Sequence, residues 1–123
     1  MSTIRVDNFG PSAGGTTYSA RGIAKAWVNF NGTGTIAARD SENVSSLTDN
    51  GTGDYSVNFT NAFGAGDYAL SGSGGDDGVL LSFRGFSAFP PTTTLARVAS
   101  TVSSTGSKAD NAMLSTAFHG DLA

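Results

Sequence analysis

The chain contains no cysteine, one histidine and one glutamate, Glu42. Without cysteine there is neither a disulfide nor a thiolate metal site, and the sequence says nothing about redox compartment. One imidazole with carboxylates alone is a poor match to the ligand sets that zinc prefers. Charge is scarce: 14% of the 123 residues are charged, against roughly 25% in ordinary soluble domains. Seven Lys and Arg against ten Asp and Glu give a net charge of −3. No basic run exists, which excludes the electrostatic footprint of a nucleic-acid binder. Long apolar stretches are also missing. None approaches the roughly 18 residues of a membrane helix, and residues 1–20 lack a signal-peptide core. The expectation is synthesis in a cytoplasm, no visible export signal and no membrane insertion.

In place of charge the chain has 17 glycines, 16 serines, 14 threonines and 8 asparagines. Its polarity comes from hydroxyls, amides and backbone. That bias excludes a helical bundle or coiled coil, which draws on Ala, Glu, Lys, Leu and Arg. Eight Phe, three Tyr and one Trp, with many Val, Leu and Ala, are enough to fill one core in a chain of single-domain length.

Residues 1–22 differ from the rest. Ile4 and Val6 alternate with polar neighbours, as in one short strand, and Gly10-Pro11-Ser12-Ala13-Gly14-Gly15 then breaks regular structure. This segment reads as an extended, loop-rich arm that needs another surface to lie on. From Ala24 the period is two. Ala26, Val28 and Phe30 share one strand face, opposite Lys25, Trp27 and Asn29, and Asn31-Gly32-Thr33-Gly34 ends the strand. A less regular pair follows, with Ile36, Val44 and Leu47 as buried candidates. Asp49-Asn50-Gly51-Thr52-Gly53 is the strongest hairpin signal, because Asn-Gly tolerates the positive φ of a tight turn. Tyr55, Val57 and Phe59 then alternate with polar residues, as in a half-buried antiparallel strand. Ser71–Gly78 reads as a loose loop. Val79, Leu81 and Phe83 open a strand that ends before Pro90-Pro91. Two further strands cover about 94–104 and 112–119. Roughly seven or eight short strands with frequent turns and no convincing helix point to an all-β fold, a compact antiparallel β-sandwich or small barrel over 23–123.

No motif carries chemistry. His119 has no Gly-x-Ser-x-Gly partner and reads as a half-exposed strand residue. Asp49, Asp54, Asp67, Asp76 and Asp77 lie in or beside turns without the spacing of a calcium loop, so each reads as a turn former. Gly72-Ser73-Gly74-Gly75 lacks the Lys-Ser/Thr ending of a phosphate loop. Trp27 gives its strand an apolar residue on both faces: either the strand is covered on both sides, or Trp27 meets another subunit. Phe83, Phe86 and Phe89 pose the same question. An exposed aromatic also stacks on sugar rings, with Asn and Asp bonding the hydroxyls.

Ala24-Lys25-Ala26-Trp27-Val28-Asn29-Phe30-Asn31-Gly32-Thr33-Gly34-Thr35 and Asn43-Val44-Ser45-Ser46-Leu47-Thr48-Asp49-Asn50-Gly51-Thr52-Gly53-Asp54-Tyr55-Ser56-Val57-Asn58-Phe59 together resemble a domain of small virion proteins of tailed bacteriophages, many from marine bacteria. Such proteins are commonly labelled tail-fibre or tail-fibre-like, and the likeness covers roughly residues 23–62. Ser2–Asp7 looks like the short segment that often precedes the domain. The resemblance implies a β-rich, trimeric, cysteine-free module on the virion exterior and brings no catalytic residues. The chain has no heptads, Gly-x-y repeat or β-helix repeat to form a shaft. The implied role is therefore capsid decoration (a cement protein or head fibre) or a small tail-fibre or tail-tip subunit.

On this reading residues 1–22 dock on a capsid or tail protein through Ile4, Arg5 and Val6, and residues 23–123 form a trimeric knob. Trp27, Phe30, Phe83 and Phe86 supply core or subunit contacts, and Asp76 and Asp77 mark an exposed tip. No enzyme activity, cofactor or metal is expected. The alternative expectation is a carbohydrate-binding module that contacts host surface glycans.

Overall fold

The structure is a computed structural model that describes residues 2–85 and 87–123. Among the described residues ten strands follow in order: β1 (Asn8–Phe9), β2 (Tyr18–Ser19), β3 (Ala26–Asn31), β4 (Ala37–Glu42), β5 (Val44–Gly51), β6 (Asp54–Phe59), β7 (Ala69–Gly74), β8 (Val79–Phe83), β9 (Leu95–Val102) and β10 (Leu114–His119). A single 3₁₀ turn, Ala20–Gly22, joins β2 to β3. Two four-stranded antiparallel sheets, ordered β4-β3-β10-β7 and β5-β6-β9-β8, pack as a sandwich.

Period-two patterning explains both sheets. Ala26, Val28 and Phe30 of β3 and Leu114, Thr116 and Phe118 of β10 point inward and are buried. They face Tyr55, Val57 and Phe59 of β6 and Ala96, Val98 and Ser100 of β9. At one end of the core Phe59, Phe63, Tyr68 and Phe118 form a cluster, with Phe59 edge-on to Phe118 at 5.1 Å and Phe63 against Tyr68 at 4.4 Å. Phe63 and Tyr68 belong to the β6–β7 connection, so the crossover between sheets also closes the core. At the other end Phe30 meets Tyr55 edge-on at 5.3 Å. Burial of one such ring is worth about 1.5–3 kcal/mol, against about 1 kcal/mol net for a ladder hydrogen bond. The rings are therefore the main tie between the sheets.

Four sequence expectations change. Ser71–Gly78 is not a loose loop, because β7 runs through Gly74 and pairs with β10 along its length. Its glycines leave room for β8: a Cβ on Gly72 would lie 2.9 Å from Leu81 Cδ2, and one on Gly74 would overlap Val79. β6 is not half-buried. Asp54 and Ser56, on its outer side, are buried too, with Arg84 and Arg97 bonded to Asp54 and Asn50 bonded to Ser56. In the β5–β6 hairpin the positive φ falls on Gly51 and Gly53, not on Asn50; the Asn50 amide donates instead to Ser56 Oγ at 2.9 Å.

The fourth change concerns the leading segment. Ile4 and Val6 lie outside any strand, since no strand runs beside them to pair with. The first strand is β1, which pairs with β2, and Ala20 N–H closes the hairpin on the Asp7 carbonyl at 2.8 Å. Residues 2–19 are exposed throughout. The extended arm is not confirmed: residues 8–19 double back as a hairpin.

Candidate functional site

The outward side of the β4-β3-β10-β7 sheet carries a groove. Trp27 stands in register with Ala117 of β10, which is in register with Ser71 of β7. The next outward row is Asn29, Ser115 and Ser73. Because the neighbours of Trp27 on the β10 and β7 side are small, its indole borders a shallow depression of about 510 Å³, and Trp27 remains 36% exposed. No charged residue lines it. Charge begins at the flank, where β4 sets Glu42 opposite Trp27 and Asp40 opposite Asn29. Arg39 donates from Nη1 to Asn29 Oδ1 at 3.3 Å and from Nη2 to the Ala112 carbonyl. The Asn29 Nδ2 donates to no described residue, and Ser73 and Ser115 place their Oγ atoms 3.4 Å apart.

The other expected contact residues separate. Phe30 belongs to the core. Phe83, half-buried at the end of β8, lies 6.1 Å from the Tyr68 ring. Phe86 lies outside the described residues. Trp27 is not a core residue: β3 is central in its sheet, but its outer face is open. Asp76 and Asp77 are exposed in the turn between β7 and β8, and Asp76 Oδ2 accepts from Asn111 Nδ2 at 2.7 Å. His119, half-buried at the end of β10, places Nδ1 3.2 Å from the Gly22 carbonyl.

A second cluster covers the opposite sheet. The Asp54 carboxylate accepts from Arg97 Nε at 2.7 Å, Arg97 Nη2 at 3.0 Å and Arg84 Nε at 3.1 Å. Both guanidinium groups face the Phe89 ring, Arg97 at 3.9 Å and Arg84 at 5.3 Å from its centroid. The hydrogen bonds from Arg97 hold the Asp54 carboxyl below the usual carboxylate range, against the opposing effect of burial. Both its oxygens are engaged, so this group is a clamp for the segment after β8 and is not poised to move protons. Sequence reading took Asp54 for a turn former. The partners lie 30 and 43 residues away, and only the β6–β9 register, which puts Arg97 opposite Ser56, brings them together.

The leading segment meets the sandwich at its base. Arg21 forms a two-pronged ion pair with Asp121, Nε to Oδ1 at 3.0 Å and Nη2 to Oδ2 at 2.6 Å. Lys25 Nζ donates to the carbonyls of Ala20 and Ile23. Beyond this base, Ile4, Val6, Phe9 and Tyr18 are all exposed, Ile4 by 87%. Arg5 is exposed between Ile4 and Val6. Comparison with protein-family models, curated proteins and solved structures finds no match for the chain.

Proposed function

We propose that this chain is an adhesive structural component of a bacteriophage particle's exterior, with residues 2–19 docking on a capsid or tail protein and the sandwich projecting outward. The phage context rests on the likeness in residues 24–35 and 43–59. The observation that carries the docking is the division of apolar surface. The sandwich closes its own core, whereas the leading segment holds Ile4, Val6, Phe9 and Tyr18 in water. Apolar side chains grouped on a short segment with no core of its own are stabilised by a partner surface.

Self-association into a trimer is part of the same reading and is supported by the sheet edges. β4 carries Arg39, Asp40 and Glu42, charges that discourage edge pairing. β7 and β8, which adjoin on the other side, contain no charged residue, and Leu80 is 56% exposed there. Copies of the chain meet on the β7–β8 side.

Deletion of residues 2–19 tests the docking. The shortened chain folds and associates as before but is missing from purified particles. Incorporation at the full-length level would overturn the docking role. A monomer by light scattering at micromolar concentration, for the intact chain, would overturn the association.

A further inference from the structure

We propose that the groove beside Trp27 is a binding site for an uncharged saccharide. The inference holds wherever the chain is mounted. A pyranose ring presents a face of C–H groups and a rim of hydroxyls, and the groove supplies a match for each. The exposed indole of Trp27 offers an apolar, π-rich platform. Asn29 Nδ2 brings donors that no described residue accepts, and Ser71, Ser73 and Ser115 bring hydroxyls that both donate and accept. Outward rows on a strand lie about 7 Å apart, so a ring stacked on Trp27 sets the next sugar against Asn29 and Ser115. A volume of about 510 Å³ falls within the roughly 300–1,000 Å³ of small-molecule sites.

Two features select against other occupants. The lining carries no charge, and the flank beside it holds both signs in Arg39, Asp40 and Glu42, so a ligand of one charge sign meets no matching surface of the other. β3 and β10 are interior strands whose backbone groups are committed to neighbours on both sides. An extended peptide adds to a sheet through a free edge, which β3 and β10 under the indole lack; the edge strand β7 only flanks the groove. The grip must come from side chains, and the side chains present are an aromatic ring, an amide and hydroxyls.

Trp27 is the only tryptophan, so tryptophan emission, excited selectively away from the tyrosines, reports on this groove alone. The experiment is a printed array of neutral and acidic oligosaccharides, followed by fluorescence titration with each hit, with cellohexaose, maltohexaose and chitohexaose as fixed probes and heparin as the charged control. Neutral saccharides bind and shift the Trp27 emission saturably. Measured by titration calorimetry, which does not need the indole, Trp27→Ala weakens binding by about tenfold or more, as truncation of an aromatic anchor does, and Asn29→Ala weakens it by a smaller factor. Trp27→Ala keeps the wild-type melting curve within a few degrees, because the side chain lies outside the core. An array without a neutral hit would overturn the proposal, as would binding to heparin alone or neutral binding that survives Trp27→Ala. An emission change that follows protein concentration without sugar would overturn it too, by seating a second copy on this face.

Discussion

The phenol oxygen of Tyr55 lies 2.8 Å from Asp110 Oδ1 and 2.7 Å from the Gly32 carbonyl oxygen. Asp110 Oδ1 also accepts the Gly53 N–H at 2.8 Å. One hydroxyl and one carboxylate thus link the β3–β4 turn, the β5–β6 turn and the β9–β10 connection. The phenol has a single proton to share between two acceptors. Burial, with Asp110 adding to it, pushes Tyr55 ionisation well above the ordinary phenol range.

Tyr55→Phe keeps the edge-on packing on Phe30 and removes only this link. The expected cost is about 1–2 kcal/mol in urea denaturation, and no loss would mean that the three turns are held by other contacts. The same network predicts alkaline behaviour. A phenol whose ionisation is raised by folding contributes stability in full below about pH 10 and loses it as pH climbs further. Burial raises Tyr68 in the same direction. Absorbance at 295 nm therefore stays incomplete in the folded chain above that pH and reaches its full value on unfolding.

Gly34 and Gly53 close the two Gly-Thr-Gly turns with nearly equal backbone angles, φ +58° and +59°. Their surroundings differ. Nothing lies within 4 Å of a Cβ on Gly34, whereas one on Gly53 would sit 2.5 Å from the Ser100 carbonyl oxygen and 2.6 Å from Ala109 N. Gly34→Ala pays only the left-handed backbone penalty, about 1–2 kcal/mol. Gly53→Ala adds overpacking against backbone that cannot step aside, for a total of about 3 kcal/mol or more. Thermal melts of the two variants compare the same substitution at the same φ. Equal losses would rule out the packing term.

Period-two alternation made β3, β6 and the inward residues of β8, β9 and β10 legible, because a strand with one buried face writes its geometry into the sequence. Residues 71–74 were illegible because Ser and Gly are poor strand formers; β7 exists through its pairing with β10 and the side chains of β8 that fill its gaps. The burial of Asp54 was hidden for a different reason. Its two arginines are distant in sequence, and no local pattern encodes a sheet register. Trp27 was visible as an outward aromatic, but the groove beside it depends on Ala117 and Ser71 from strands far along the chain. Local rules showed the residue, and only topology showed its surroundings.

Asp54 couples folding to acid. Its folded ionisation is depressed, so the unfolded chain binds the proton more readily and stability rises with pH through that window. The contribution is complete above about pH 5 and is lost as pH falls below about 4. Asp54→Asn leaves Arg84 and Arg97 packed against Phe89 without their counter-charge. The expected loss is about 2–3 kcal/mol at pH 7. At pH 3 the gap between wild type and variant narrows. A gap of constant size across that range would show that the carboxylate's charge is not what holds the clamp.

Among the described residues, the hydroxyls of Thr116 and Ser100 are buried with no hydrogen-bond partner. Thr116 is 3% exposed and lies between Val28 and Gly72 in register, on the inner face of its sheet. A buried hydroxyl without a partner loses its hydration and gains nothing in return. Thr116→Val keeps the branched shape that suits a strand and replaces that oxygen with a methyl group. This substitution stabilises, in contrast to the others, by about 1 kcal/mol, or about 4 °C in melting temperature for a chain of this length. Combined with Ser100→Ala, a change in the opposite sheet, the effects add to within a few tenths of a kcal/mol if the sites are independent. A lower melting temperature for Thr116→Val would mean that the hydroxyl is hydrogen-bonded in solution and that this part of the core is built around a polar contact.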